Sequence, residues 1–152
     1  RYSVITQTVD TPAYEDVVLN SALEESISAY YAALKEHGIT PEISIPETKI
    51  VRKLDTNILS RILGNIISNA IKYSDGDLTI GLGEDGEMVF SNTAKGLNSV
   101  AVGKLFDRFF TVETGRNSTG LGLSIAKLLT EQMGGEISAE YSAGRLFILL
   151  RF

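Results

Sequence analysis

Asn65 and Asn69 lie four residues apart, and Lys72 and Tyr73 follow directly in the same register. At about 100° per residue, Asn65, Asn69 and Lys72 fall within roughly 60° of one another on a helix surface, with Tyr73 at the edge of the stripe. Leu59, Ile62, Leu63, Ile66 and Ala70 turn to the neighbouring face, which reads as core. Two neutral amides, one cation and one aromatic plane in a line suit a metal ion bridged to polyphosphate beside a purine ring. The segment alone also describes a buried helix whose asparagines bond to nearby backbone, because polar pairs at this spacing are common.

A second group of residues could receive an anion. Ser118-Thr119-Gly120-Leu121-Gly122-Leu123 opens an apolar periodic stretch. Gly120 and Gly122 let backbone approach a phosphate closely. The helix start that follows offers unpaired N–H groups and a partial positive charge. Ser118 and Thr119 add hydroxyl donors. Between the two groups lies Leu105-Phe106-Asp107-Arg108-Phe109-Phe110, where the phenylalanines read as packing residues that tether a loop.

In this order and spacing the three segments resemble the N, F and second glycine boxes of bacterial sensor histidine kinases. They are similar to the ATP-binding catalytic domain, in the superfamily shared with gyrase, Hsp90 and MutL. The resemblance runs from about Asp16 to Phe152. It implies a Bergerat-type ATP-binding fold, with ATP and Mg²⁺ as cofactors. Asn69 would be the magnesium ligand and Asn65 its support, since neutral amide oxygens suit an ion whose charge is met by phosphate. Lys72 would hold phosphate as a point charge, and Tyr73 would lie against the base.

The resemblance extends nucleotide binding to Asn92, Ala94, Gly96 and Leu97 in the first glycine box, and to Phe106 and Arg108 in the F box. It also implicates Ser118, Thr119, Gly120, Leu121, Gly122 and Leu123. For Arg108 and Arg116, a solvated surface position and a reach to phosphate both stay open. The gyrase, Hsp90 and MutL branch carries a water-activating glutamate where this chain has Asn65. An amide takes no proton at neutral pH, so transfer to an external acceptor is favoured over hydrolysis.

Two positions depart from the family's Asp-x-Gly-x-Gly. Asn92 replaces the adenine-reading aspartate, which keeps an acceptor but loses its charge, and Ala94 replaces the first glycine. Near the end, the family's Gly-x-Gly-Thr is reduced to Gly144-Arg145-Leu146. No catalytic acceptor is expected within the chain. Its one histidine, His37, stands beside Gly38 at a helix end, where a cation is favoured by the dipole.

The function implied is transfer of the ATP γ-phosphate to a histidine on a separate dimerisation domain of the same protein, with a response regulator downstream. The alternatives are a degenerate nucleotide-binding module with weak or no kinase activity, and a serine kinase of the anti-sigma-factor type. The F box and long lid argue against the latter.

The elements that must position these residues form one interleaved α/β pattern over residues 1–152, read as a single catalytic domain. Residues 1–15 have no clear period and read as a remnant of a preceding linker. Ser21-x-x-Glu24 suggests a capping box opening a helix that ends at Gly38. Ile43 to Ile45 and Ile50 to Leu54 alternate as strands, and Asp55 is a candidate N-cap for the asparagine helix.

Leu78 to Leu82 and Met88 to Ser91 flank the Asp85-Gly86 turn signal. A helix from about Leu121 to Gly134-Gly135 precedes a last hairpin around Ser142-Ala143-Gly144. The pattern predicts a two-layer α/β sandwich, with helices on one face of a mixed, mainly antiparallel sheet. Residues 92–119 break the rhythm and read as a lid over nucleotide, with a disordered insertion as the alternative.

At 152 residues the chain can bury roughly 70% of its unfolded surface, enough for one core. A net charge of −5 without a run of Lys and Arg argues against a nucleic-acid partner. Cysteine is absent, which excludes disulfides and thiolate metal sites. No apolar run nears the ~18 residues of a membrane span, so no membrane contact by this domain is expected. The chain opens at Arg1 without an initiator methionine, which suggests an excised fragment; the resemblance implies a cytoplasmic domain of an inner-membrane or cell-membrane sensor protein.

Overall fold

The computed structural model describes residues 11–107 and 122–152. Two sheets and five helices appear among them. Strand β1 (Glu15–Val18) pairs antiparallel with β3 (Val51–Leu54), with Val18 opposite Val51. The larger sheet holds β2 (Glu42–Ser44), β4 (Thr79–Leu82), β5 (Met88–Thr93), β6 (Glu136–Ser142) and β7 (Arg145–Arg151) in the order β2-β4-β5-β7-β6. Only β2 and β4 run parallel; the other neighbours are antiparallel. This is the mixed, mainly antiparallel sheet of the expected sandwich.

Alternation sets the two faces of that sheet. Ile80, Leu82, Met88, Phe90, Leu146, Ile148 and Leu150 are buried on the inner face. There they meet α3 (Thr56–Tyr73) and α5 (Gly122–Gln132), which also pack on each other. Outward positions such as Thr79, Val89 and Phe147 are half-buried.

The N-terminal region differs from its expected form. Helix α1 (Leu19–Ala29) starts two residues before Ser21, and no side chain caps it. Its start is set from a distance: Leu19 N–H donates to the Ile50 carbonyl at 2.7 Å. Buried Asn20 clamps the loop before β3, donating to Pro46 and Thr48 at 2.9 Å each and accepting from Ile50 N–H at 2.8 Å. The chain breaks at Tyr30 and resumes as α2 (Tyr31–Glu36). Tyr31 is exposed. Gly38, at φ +71, closes this region as expected.

The stretch taken for a linker remnant is partly built into the fold, since Glu15 is already strand and Ala13 N–H donates to Asp55 at 2.7 Å. At the Asp85-Gly86 turn, Gly86 has φ +93, and a Cβ there would stand 2.5 Å from Arg52. That arginine also donates to the Phe152 carbonyl at 3.0 Å, tying the small sheet to the end of β7.

Candidate functional site

Asp55 caps α3 by accepting from Ile58 N–H at 3.0 Å, as the sequence suggests. From there Leu59, Ile62, Leu63, Ile66, Ile67 and Ala70 go into the core. Asn65, Asn69, Lys72 and Tyr73 form a half-buried stripe beside them. Asn65 Nδ2 donates to the Gly122 carbonyl at 3.1 Å. This bond joins the asparagine stripe to the first residue of α5, where the glycine run ends. A Cβ built on Gly122 meets no heavy atom of the described residues within 4 Å. Lys72 Nζ stands 6.0 Å from the Tyr73 ring centroid, at the outer limit of a cation–π contact.

The end of β5 is brought to the same place by the turn after α3. Ser74 Oγ accepts from Gly76 and Asp77 N–H, each at 2.9 Å, and so ends the helix in a side-chain turn. Asp75 N–H donates to the Thr93 carbonyl at 2.8 Å, and the Asp75 carboxylate accepts from Lys95 N–H at 2.9 Å.

Between these anchors Asn92 is buried, only 3% exposed, on the inner face opposite Leu146. Its Nδ2 donates to the Thr93 carbonyl at 3.2 Å, which leaves the amide oxygen as the acceptor it can offer a ligand. Ala94 is held on both sides, by its own N–H to Gly144 at 2.8 Å and by the Tyr141 hydroxyl to its carbonyl at 2.9 Å. Its methyl lies in the hydrophobic core. Gly96 is exposed, and a Cβ there would touch none of the described residues within 4 Å.

The expected lid begins differently. Asn92 and Thr93 belong to β5, so the strand continues two residues into it. The following residues are ordered by buried Leu97 and Leu105 around a short α4 (Ser99–Val102) capped by Asn98, whose Oδ1 accepts from Ala101 N–H at 2.8 Å. Phe106 packs on the core, and Lys127 Nζ of α5 lies 5.7 Å from its ring centroid. Leu123 is a core residue of α5. Arg108, Phe109, Phe110, Arg116, Ser118, Thr119, Gly120 and Leu121 lie outside the described residues. His37 is exposed at the end of α2, its Nδ1 2.9 Å from the Ala33 carbonyl.

Two residues outside the candidate site residues complete the arrangement. Asp77 Oδ1 accepts from Thr93 N–H at 2.8 Å, and Arg145 Nη1 reaches Asp77 Oδ2 at 2.8 Å. Burial alone would raise the Asp77 pKa. The Thr93 N–H and the Arg145 guanidinium outweigh it and hold the carboxyl below its ordinary range. The sequence carried part of the signal: Arg145 begins a strand whose neighbouring positions alternate inward, which puts it on the outer face, but its place opposite Thr93 comes from the pairing of β5 with β7.

Residues 54–151 match the model of the histidine kinase-, DNA gyrase B-, and HSP90-like ATPase family. Sensor histidine kinase YcbM of Bacillus subtilis (strain 168) is 35% identical over 133 residues, covering 82% of this chain and 43% of that protein. Sensor protein VanS of Enterococcus faecium is 35% identical over 151 residues, covering 92% and 38%. The chain therefore spans less than half the length of these curated relatives. Among solved structures, the mycobacterial sensor histidine kinase MprB superposes with a TM-score of 0.76 at 22% identity, covering 91% of this chain and 97% of that one. That likeness establishes the fold.

Proposed function

We infer, because this chain belongs to the histidine kinase-, DNA gyrase B-, and HSP90-like ATPase family, that it is the ATP-binding catalytic domain of a sensor histidine kinase. It would pass the γ-phosphate of ATP to a histidine on a dimerisation domain of the same protein. A response regulator would then take the phosphate onward. The carrying observation is the bond from Asn65 Nδ2 to the Gly122 carbonyl, 3.1 Å, which joins the amide stripe of α3 to the first residue of α5. An anion beside that helix start and a cation on the amides are complementary.

Asn69, with Asn65 in support, fits a divalent ion such as Mg²⁺. Among the described residues no three His, Asp or Glu converge on one point. Neutral amides together with phosphate oxygens are therefore the donor set the stripe offers. The ion would neutralise phosphate charge. Lys72 would add a point charge to the phosphates, Tyr73 would flank the base, and Asn92 would accept from the adenine amino group. Asn65 cannot accept a proton from water at neutral pH, which supports transfer over hydrolysis. Among the described residues no helix is long and apolar enough to cross a membrane. The reading that fits is a cytoplasmic domain of a membrane-bound sensor.

Asn92 and Ala94 favour one other reading, a nucleotide-binding module with weak or no kinase activity. Calorimetry with ADP and ATP, with and without Mg²⁺, separates the two. The kinase reading requires binding and slow labelling of a separately supplied dimerisation domain by γ-labelled ATP, with none on the chain itself. Label on His37, or rapid phosphate release without an acceptor, would overturn it.

A further inference from the structure

Arg145 occupies the outer face of the sheet, opposite the strand end that carries Asn92. Its Nε donates to Ser91 Oγ at 3.2 Å, and its Nη1 to Thr93 Oγ1 at 3.2 Å and to Asp77 Oδ2 at 2.8 Å. Its Nη2 donates to Thr79 Oγ1 at 3.1 Å. One guanidinium thus joins β7, β5, β4 and the turn after α3. The residues it grips on β5, Ser91 and Thr93, are the immediate neighbours of Asn92. Asp77 adds a second hold, accepting from both Thr93 N–H and Thr93 Oγ1, at 2.8 and 3.1 Å.

A strand puts successive side chains on opposite faces. Fixing positions 91 and 93 from outside therefore fixes where the side chain of 92 stands inside. The same bridge reaches the turn carrying Asp75 and Asp77, which directly follows Lys72 and Tyr73. Surface ion pairs contribute little by themselves. The planar, multidentate fork of an arginine gives this one directional control that a lysine lacks.

We propose that Arg145, braced by Asp77, is a positioning residue for base recognition: it sets the register of Asn92 against α3 from the far side of the sheet. The proposal rests on the nucleotide-binding reading above. Arg145 touches no nucleotide; it acts through Asn92.

The test is calorimetry of ADP and GDP binding to the full chain and to Arg145→Met, Arg145→Lys, Asn92→Leu and the Arg145→Met/Asn92→Leu pair. Arg151→Met serves as a control, because Arg151 sits on the same strand in exposed ion pairs with Glu87 at 3.1 Å and Asp85 at 3.7 Å. Arg145→Met should weaken ADP binding about five- to tenfold, the scale of one hydrogen-bonded contact to the base, and narrow the preference for ADP over GDP. Arg145→Lys should lose part of both and keeps the proposal testable if the methionine variant folds poorly. In the Asn92→Leu background Arg145→Met should add little, because residues acting through one contact are not additive.

Additive losses, or an Arg145→Met loss that leaves base preference unchanged and matches Arg151→Met, would reduce Arg145 to a strand stabiliser. No ADP binding by the parent chain would overturn the nucleotide reading, and this proposal with it. Binding indifferent to Arg145 would overturn only the latter.

Discussion

Around the first turns of α3, Leu59, Ile62 and Leu63 are fully buried and Asp55 holds the helix start. Around the last turns the apolar face continues, but Asn65, Asn69, Lys72 and Tyr73 run alongside it at half exposure. Aliphatic burial of the first kind contributes about 25 cal/mol per Å². Half-buried amides exchange water bonds for protein bonds at little net gain. The first half of α3 is therefore organised for stability. The second half sacrifices some of it to keep the proposed ligand-binding groups in line, and it is braced from elsewhere, by Gly122 and by the Asp75 and Asp77 contacts to β5. Substitutions should separate accordingly.

Leu63→Ala removes a side chain with no exposure and should cost about 2–5 kcal/mol in urea unfolding. The ADP affinity of the molecules that remain folded should stay within about twofold of the parent, because no binding group moves. A selective loss of affinity at unchanged stability would erase the distinction between the two halves.

Asn69→Ala should do the reverse. It should weaken magnesium–ATP binding about ten- to hundredfold while metal-free ADP binding changes much less. The melting temperature should hardly move. Equal losses for both ligands would place Asn69 in base recognition or in the fold. Lys72→Ala should likewise lower phosphate affinity without lowering the apo melting temperature; a large destabilisation would show that its stem is packing.

The stable half of α3 was almost wholly legible, because periodicity and a cap are local signals. The hairpins β4–β5 and β6–β7 were legible for the same reason, with alternation on both sides of a turn. What escaped depends on distant partners. Strand β1 has only Val17 and Val18 as apolar residues and exists through pairing with β3. The α1 start is chosen by Ile50 and by Asn20, not by Ser21. Within the site, the α3 stripe was readable from spacing and resemblance. The Arg145–Asp77 brace was not, because it follows from sheet register that no single segment encodes.

Asp55→Ala should cost about 1–2 kcal/mol, through loss of the cap on Ile58 and of the bond from Ala13. Burial pushes the Asp55 pKa upward, but the Ala13, Ile58 and Asn57 N–H groups overcome it and hold the carboxyl below its ordinary value. A depressed carboxylate contributes stability that is present above its unfolded pKa, near 3.9, and is lost as pH falls through the lower folded value. Asp77 has the same sign. Acid unfolding should steepen below about pH 4, and Asp55→Ala should flatten that limb while lowering the plateau. A variant that keeps the full acid slope would mean the carboxyl is not in its capped, ionised form.

The smallest effect expected is at Asn92, where site and strand meet. A charged acceptor binds an amino group better than a neutral one by roughly 0.5–1.5 kcal/mol. Asn92→Asp should therefore tighten ADP binding by about two- to tenfold. The same change removes the Nδ2 donor and leaves a carboxylate oxygen facing the Thr93 carbonyl it now bonds at 3.2 Å. That oxygen sits at a position only 3% exposed, so the apo protein should melt lower as affinity rises. Asn92→Leu keeps the burial and loses the acceptor; it should bind ADP more weakly than either and prefer it less over GDP. Opposite movements of melting temperature and affinity in Asn92→Asp would place residue 92 on the ligand-binding side of the division seen in α3. If Asn92→Leu instead binds ADP as well as the parent does, Asn92 serves only the strand, and the base must be read elsewhere.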